Sequence, residues 1–151
     1  MNNLNLVKIL CYSGIIPFYF LSLLSFFFKD FFISELFSIY SLIILSFLFG
    51  STWLHLIIYE TKNKITFFII FTVLMPVFLI LVEILLPSKI KFFLYAISFF
   101  IIYMIDQKFI KNPDYLKIRK NLTTQVIIAH TLFLISIYSN SFWNIFKTIF
   151  F

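Results

Sequence analysis

The chain has 151 residues, of which 62% are hydrophobic, 23% aromatic and only 12% charged. A water-soluble domain of this length needs far more charge on its surface, so the composition excludes a soluble fold. On a soluble protein the net charge of +6 would suggest nucleic acid, but here the cations fall between apolar runs, where they contact phospholipid headgroups. The expected partner is therefore the lipid bilayer, and no nucleic acid is predicted.

Five apolar segments follow one another along the chain, each near the roughly 20 residues that cross hydrocarbon. They lie at about residues 6–28, 35–59, 65–86, 90–105 and 122–138. The first lacks a small-x-small cleavage site, which favours a retained span over a secretory signal. Short links make successive segments antiparallel neighbours. The sequence thus predicts an all-α integral membrane bundle of five transmembrane helices, forming one domain over residues 1–151.

Two features flank the fifth segment. Asn112-Pro113-Asp114 is typical of a helix start, with Asn as the cap and Pro at the first position. A helix is predicted to begin there, lie at the interface through Tyr115 and Leu116, and then turn into the fifth span. The tail at about 142–151 carries apolar residues at helical spacing, which predicts a short helix in the headgroup region.

Orientation follows from the distribution of cations between the two membrane faces. With five spans, eight share the face of the N-terminus, called the N-side below: Lys8, Lys62, Lys64, Lys108, Lys111, Lys117, Arg119 and Lys120. Four lie on the opposite face: Lys29, Lys89, Lys91 and Lys147. This imbalance predicts a positive-inside arrangement, with the N-terminus inside and the C-terminus outside.

Polar groups within apolar runs need a partner or a purpose, because lipid does not solvate them. When the unusual polar residues of the apolar segments are placed by depth in the membrane, most of them lie in the half nearer the N-side. The candidate cluster, structural or binding, comprises Gly14, Pro17, Ser46, Gly50, Thr52, Trp53, His55, Asp106, Arg119 and Thr123. Asp106 and Arg119 flank the one long loop and predict an ion pair that fixes the fourth helix against the fifth. The alternative is a headgroup or solute site.

Other polar residues favour packing roles. Ser46-x-x-x-Gly50 is a small-xxx-small pattern that predicts close approach of a neighbouring helix, and Trp53 is typical of an interfacial anchor. Glu83 is predicted to reach headgroups or the nearby lysines. His130 is expected to be neutral and hydrogen-bonded, although a haem ligand remains an alternative for a chain with two histidines.

Motifs of catalysis are missing from the sequence. It contains no Gly-rich phosphate loop, nucleophile elbow, zinc-ligand spacing or Ser/His/Asp constellation. Cys11 is the single cysteine, so it has no intrachain partner. We therefore predict no catalytic residue, metal or cofactor, and the protein is not expected to be an enzyme.

An ordered set of short motifs covers nearly the whole chain: Tyr12-Ser13-Gly14-Ile15-Ile16-Pro17-Phe18, Tyr40-Ser41, Ile44-Leu45-Ser46-Phe47-Leu48, Gly50, Trp53, Pro76, Asp106, Leu116, Arg119 and Leu122-Thr123. In this set the chain resembles the family called domain of unknown function 3429, the family of transmembrane protein 69. The family pattern Gly-Gly-x-His-Trp-Gly is altered here, with Thr52 at the histidine position. The resemblance implies five spans in an inner membrane, bacterial or mitochondrial, and no known chemistry.

Two functions from different classes fit these observations. The first is a structural, accessory or assembly protein of a membrane complex, so that other membrane subunits are expected partners. The alternative is a transporter or channel for a small solute or ion, with its polar site in the N-side half. A continuous polar pathway to the opposite face would favour the alternative.

Overall fold

The computed structural model describes residues 3–28, 31–59 and 65–150, with side chains at 8–28, 31–58 and 65–138. Six helices make up the regular structure of these residues: α1 (Asn3–Ser13), α2 (Ile16–Phe27), α3 (Phe31–Tyr59), α4 (Thr66–Leu85), α5 (Ser88–Phe109) and α6 (Pro113–Phe150). Five stretches are long and apolar enough to cross a membrane: Lys8–Phe27, Phe31–Ile58, Thr66–Leu85, Ser88–Phe109 and Pro113–Tyr138. The predicted all-α bundle of five membrane helices is confirmed.

The first predicted span consists of two helices. A turn at Gly14 and Ile15 separates α1 from α2, and Pro17 lies in the first turn of α2. Proline has no N–H to donate to the carbonyl four residues earlier, so a continuous helix through this point is disfavoured. The Tyr40 hydroxyl of α3 donates to the Gly14 carbonyl at 2.7 Å and holds the break against the bundle.

Helix α6 begins at the predicted site. The Asn112 Oδ1 atom accepts hydrogen bonds from the backbone N–H groups of Asp114 and Tyr115, at 3.0 and 3.2 Å. The predicted turn before the fifth span is wrong, because α6 is one helix of 38 residues. At 1.5 Å per residue it is about 57 Å long, more than the roughly 45 Å of a bilayer with its headgroups. The tail at 142–150 is helical, and its place in the headgroup region stays a prediction.

Four helices form the centre of the bundle. Helix α2 packs on α3 and α6, and α5 packs on the same two helices, which closes a ring. Helix α4 packs mainly on α3 from outside this ring, and α1 contacts α6. The ring brings the end of α3, the end of α5 and the start of α6 together on the N-side, where the predicted polar residues lie.

Aromatic rings fill the interior of the ring of helices. Five of them, called the phenylalanine core below, are at most 1% exposed: Phe18, Phe37, Phe92, Phe99 and Phe133. Phe37 stacks on Phe133 with ring centroids 4.0 Å apart, and edge contacts at 4.9–5.9 Å join the others. Such pairs contribute beyond simple area burial, so the core fixes the register of four helices.

Candidate functional site

The most enclosed charges of the bundle form an ion pair on the N-side. The Arg119 Nε–H donates to Asp106 Oδ2 at 2.6 Å, as the flanking positions of the two residues predicted. The Thr52 hydroxyl donates to the other carboxylate oxygen, Oδ1, at 2.8 Å. Asp106 is fully buried, and Arg119 is 5% exposed. The carboxylate therefore ties α3, α5 and α6 together at one point.

Thr123 completes what we call the N-side cluster: Thr52, Asp106, Arg119 and Thr123. It lies one helical turn after Arg119 on α6 and is 5% exposed. Thr52 of α3 is one of the two donors to Asp106. Removing one partner of a buried charge pair destabilises a folded protein, so both donors to Asp106 are expected to stabilise the bundle.

The remaining predicted site residues lie elsewhere on the N-side half. Gly14 and Pro17 form the break between α1 and α2. Ser46, Gly50, Trp53 and His55 are half-buried along α3, whereas Thr52 between them is buried. The structure thus places two of the ten predicted residues, Thr52 and Arg119, on the carboxylate of a third, Asp106. Thr123 lies beside them, and the others are not shown as part of that arrangement.

Gly50 does not mark a close helix contact. A Cβ atom built at this position would meet only the Trp53 indole nitrogen at 4.0 Å, apart from atoms of its own helix and chain neighbours. The small-xxx-small interpretation of Ser46 and Gly50 is therefore wrong for the part of the bundle that the structure describes.

We expect Gly50→Ala to stabilise the folded protein by about 0.5–1 kcal/mol, because alanine restricts the unfolded backbone and meets no obstruction. Equilibrium unfolding in mixed micelles, followed by tryptophan fluorescence, measures this change. A clear loss of stability would instead indicate a helix packed against Gly50.

A second carboxylate cluster was missed by the sequence analysis. Glu83 of α4 accepts hydrogen bonds from the Lys91 ammonium at 2.7 Å, and from the Ser38 and Tyr95 hydroxyls at 2.5 Å each. Lys91 was predicted as one possible partner, but Ser38 and Tyr95 were not. These contacts attach α4 to both α3 and α5, so Glu83 points into the bundle rather than to headgroups.

His130 occupies the middle of the bundle and is fully buried. Its Nδ1 atom lies 2.9 Å from the Val126 carbonyl oxygen, and its Nε2 atom 3.2 Å from the Ser41 hydroxyl. Rings of the phenylalanine core surround it, with centroid distances of 4.8 Å to Phe37 and 5.4 Å to Phe18. Both ring nitrogens therefore have hydrogen-bonding partners within the protein, as the sequence predicted.

No three His, Cys, Asp or Glu side chains within the described ranges come together closely enough to hold a metal ion. The Ser41–His130 pair lacks an accompanying carboxylate and is closed to solvent, since neither side chain is exposed. Among the described residues, the geometry of the N-side cluster joins three helices through one carboxylate.

At the end opposite the N-side, a cleft of about 710 Å³ opens between α2, α3, α5 and α6. Its lining combines Ser25, Ser34, Ser88 and Lys89 with apolar side chains, including Phe133 of the phenylalanine core. Lys89 lies over the Tyr138 ring, with its ammonium nitrogen 4.6 Å from the ring centroid. The cleft reaches the core from one end, and the N-side cluster lies beyond the core at the other.

The helices, their hydropathy and their internal ion pairs define a multi-pass α-helical membrane protein. A family model described as "Protein of unknown function (DUF3429)" matches residues 5–135. The chain belongs to this family, which the short motifs along the sequence predicted. No curated protein and no solved structure gave a match.

Proposed function

We propose that this protein is a structural or accessory component of an inner membrane, bacterial or mitochondrial, and that it helps to assemble or stabilise a larger membrane complex. The proposal is supported by the way the interior polar groups are used. Asp106 accepts bonds from two side chains and Glu83 from three, so both interior carboxylates are committed to joining helices.

A transport function would need polar groups that continue from one face to the other. Between the N-side cluster and the Ser41–His130 pair, Leu45, Phe49 and Ile102 are fully buried. Polar groups at this depth bond within the protein, as the Tyr19 hydroxyl does to Gln125 Oε1. Thr123 and His130 are seven residues apart on α6, which corresponds to about 10 Å. Beyond His130, Phe133 forms part of the lining of the opposite cleft. These buried apolar residues favour a structural helical bundle over a transport pathway.

The proposed orientation places the N-side inside. The predicted count was eight cations against four. Arg119 and Lys91 are buried and paired with carboxylates, so neither is free to interact with headgroups. Without Arg119 and Lys91, seven cations remain on the N-side and three on the opposite side. The ratio of cations that favours an inside N-side therefore increases.

Deletion combined with purification tests the accessory role. The tagged chain is cross-linked in intact membranes of its host and extracted in mild detergent. We expect it to migrate with a membrane complex whose abundance falls when the chain is deleted and recovers when the wild-type chain is restored. Migration alone, with every membrane complex unchanged by the deletion, would contradict the proposal.

Uptake measurements separate this proposal from the transporter alternative. The purified protein in proteoliposomes is expected to leave solute and ion flux at the level of empty vesicles. Uptake that depends on the protein and is abolished by Asp106→Asn, in a variant shown to remain folded, would favour a carrier with its site in the N-side cluster.

A further inference from the structure

Hydroxyl groups on membrane helices usually bond to the backbone carbonyl one turn earlier, which removes their need for another partner. Seven residues of this bundle place the hydroxyl oxygen 2.7–3.0 Å from the carbonyl oxygen four positions before: Ser22, Ser41, Thr52, Thr72, Ser98, Thr124 and Thr131. Thr123 does not. Its hydroxyl oxygen is buried and makes no hydrogen bond with any described group.

A second unbonded group lies on the same face of α6. Arg119 uses Nε to bond Asp106, while its Nη2 atom is buried and has no partner within the described residues. Positions four apart are neighbours on a helix surface, so both unbonded groups belong to residues on the same face of α6. Buried donors without acceptors are rare and costly, and two adjacent ones indicate a bound acceptor.

The charge of this acceptor follows from its surroundings. Asp106 already balances the charge of Arg119 at 2.6 Å, and both side chains are shielded from water. An additional anion would leave an uncompensated negative charge in a region of low dielectric constant. The acceptor that fits is a neutral oxygen.

We propose that Arg119 Nη2 and Thr123 Oγ1 bind one uncharged oxygen atom, supplied by a water molecule or by the carbonyl of an ester lipid. Buried waters typically join otherwise unsatisfied polar groups of this kind. Ester carbonyls of phospholipids lie at the boundary between headgroups and hydrocarbon, where the sequence predicts the fifth span to begin, at about residue 122. The site goes beyond the accessory role and stands independently of it.

The test measures how the stability of the folded protein changes when the Thr123 hydroxyl is removed. Thr123→Val keeps the shape of the side chain and removes the hydroxyl. If the hydroxyl holds a ligand, we expect the equilibrium constant for unfolding to rise about tenfold, because Arg119 Nη2 loses its acceptor. Thr123→Ser should remain within about twofold of the wild type. Thr131→Val, an exposed threonine of the same helix bonded to the Ile127 carbonyl, is the matched control and should also remain within about twofold.

Bilayers of two compositions distinguish the sources of the oxygen. The three variants are compared in nanodiscs of diester and of diether phosphatidylcholine, since the latter has no carbonyl. A loss of stability for Thr123→Val in both lipids identifies water, and a loss in the diester lipid alone identifies the lipid carbonyl. Thr123→Val as stable as the wild type in both, or a loss in the diether lipid alone, overturns the proposal.

High-resolution density of the wild-type protein provides the second measurement and does not depend on a variant folding. We expect a density peak at about 2.7–3.2 Å from both Arg119 Nη2 and Thr123 Oγ1. An empty position, in a map that resolves other buried waters, would overturn the site.

Discussion

Asp106→Asn is expected to lower the free energy of unfolding by about 3–5 kcal/mol, because it leaves a buried guanidinium without its counter-charge. The carboxylate is fully buried and bonds both Arg119 of α6 and Thr52 of α3. The variant should therefore loosen the N-side junction of three helices. Equilibrium unfolding in mixed micelles measures the effect, and helix content by circular dichroism shows whether the folded state persists.

Removing both charges is the control for this prediction. The double variant Asp106→Asn with Arg119→Gln is expected to recover much of the lost stability, since neither residue is then an unpaired charge. A double variant as unstable as the sum of the two single changes would show that the residues do not act as a pair. Asp106→Asn within about 1 kcal/mol of the wild type would contradict the structural role of the cluster.

Phe37→Ala is expected to destabilise the protein by about 3–5 kcal/mol, the usual cost of emptying a large buried aromatic position. Phe37 has no exposed surface, stacks on Phe133 and makes edge contacts with Phe18 and Phe92. In lipid, packing of this kind supplies much of the attraction between helices. Unfolding in mixed micelles, under the same conditions as above, measures the loss.

Phe47→Ala on the same helix is the matched control. Phe47 is 70% exposed, so its ring faces lipid and its removal leaves no cavity. We expect its unfolding free energy to stay within about 0.5 kcal/mol of the wild type. Equal effects at the two positions would show that the phenylalanine core does not determine the stability of this bundle.

Hydropathy and charge were sufficient to predict the fold class and the number of membrane helices, and the cap at Asn112 with Pro113 predicted the start of α6. They also predicted the Asp106–Arg119 pair, because both residues flank one loop and carry opposite charges. These features depend on information local to a segment. Apolar length determines whether a helix crosses lipid, and a cap acts within its own first turn.

The remaining features depend on contacts between segments that are distant in sequence. For Glu83 the sequence predicts headgroups or the nearby lysines, of which Lys91 is a partner, but it does not indicate Ser38 and Tyr95, which belong to other helices. The division of the first span depends partly on the bond from Tyr40 to Gly14, 26 positions apart. Gly50 was assigned to a helix contact from its spacing alone, although the face that carries it is only half-buried. Pro17 was the one local signal for the break in the first span.

Cysteine labelling from the two sides of sealed vesicles tests the central claim, that the chain threads the bilayer five times with its N-terminus inside. In a Cys11→Ser background, single cysteines replace Lys111 between α5 and α6, Ser88 at the start of α5, and Asn144 in the tail. We predict that an impermeant reagent reaches Lys111→Cys from the inside only, and the other two from the outside only. Labelling of Lys111→Cys and Asn144→Cys from the same side would contradict the account.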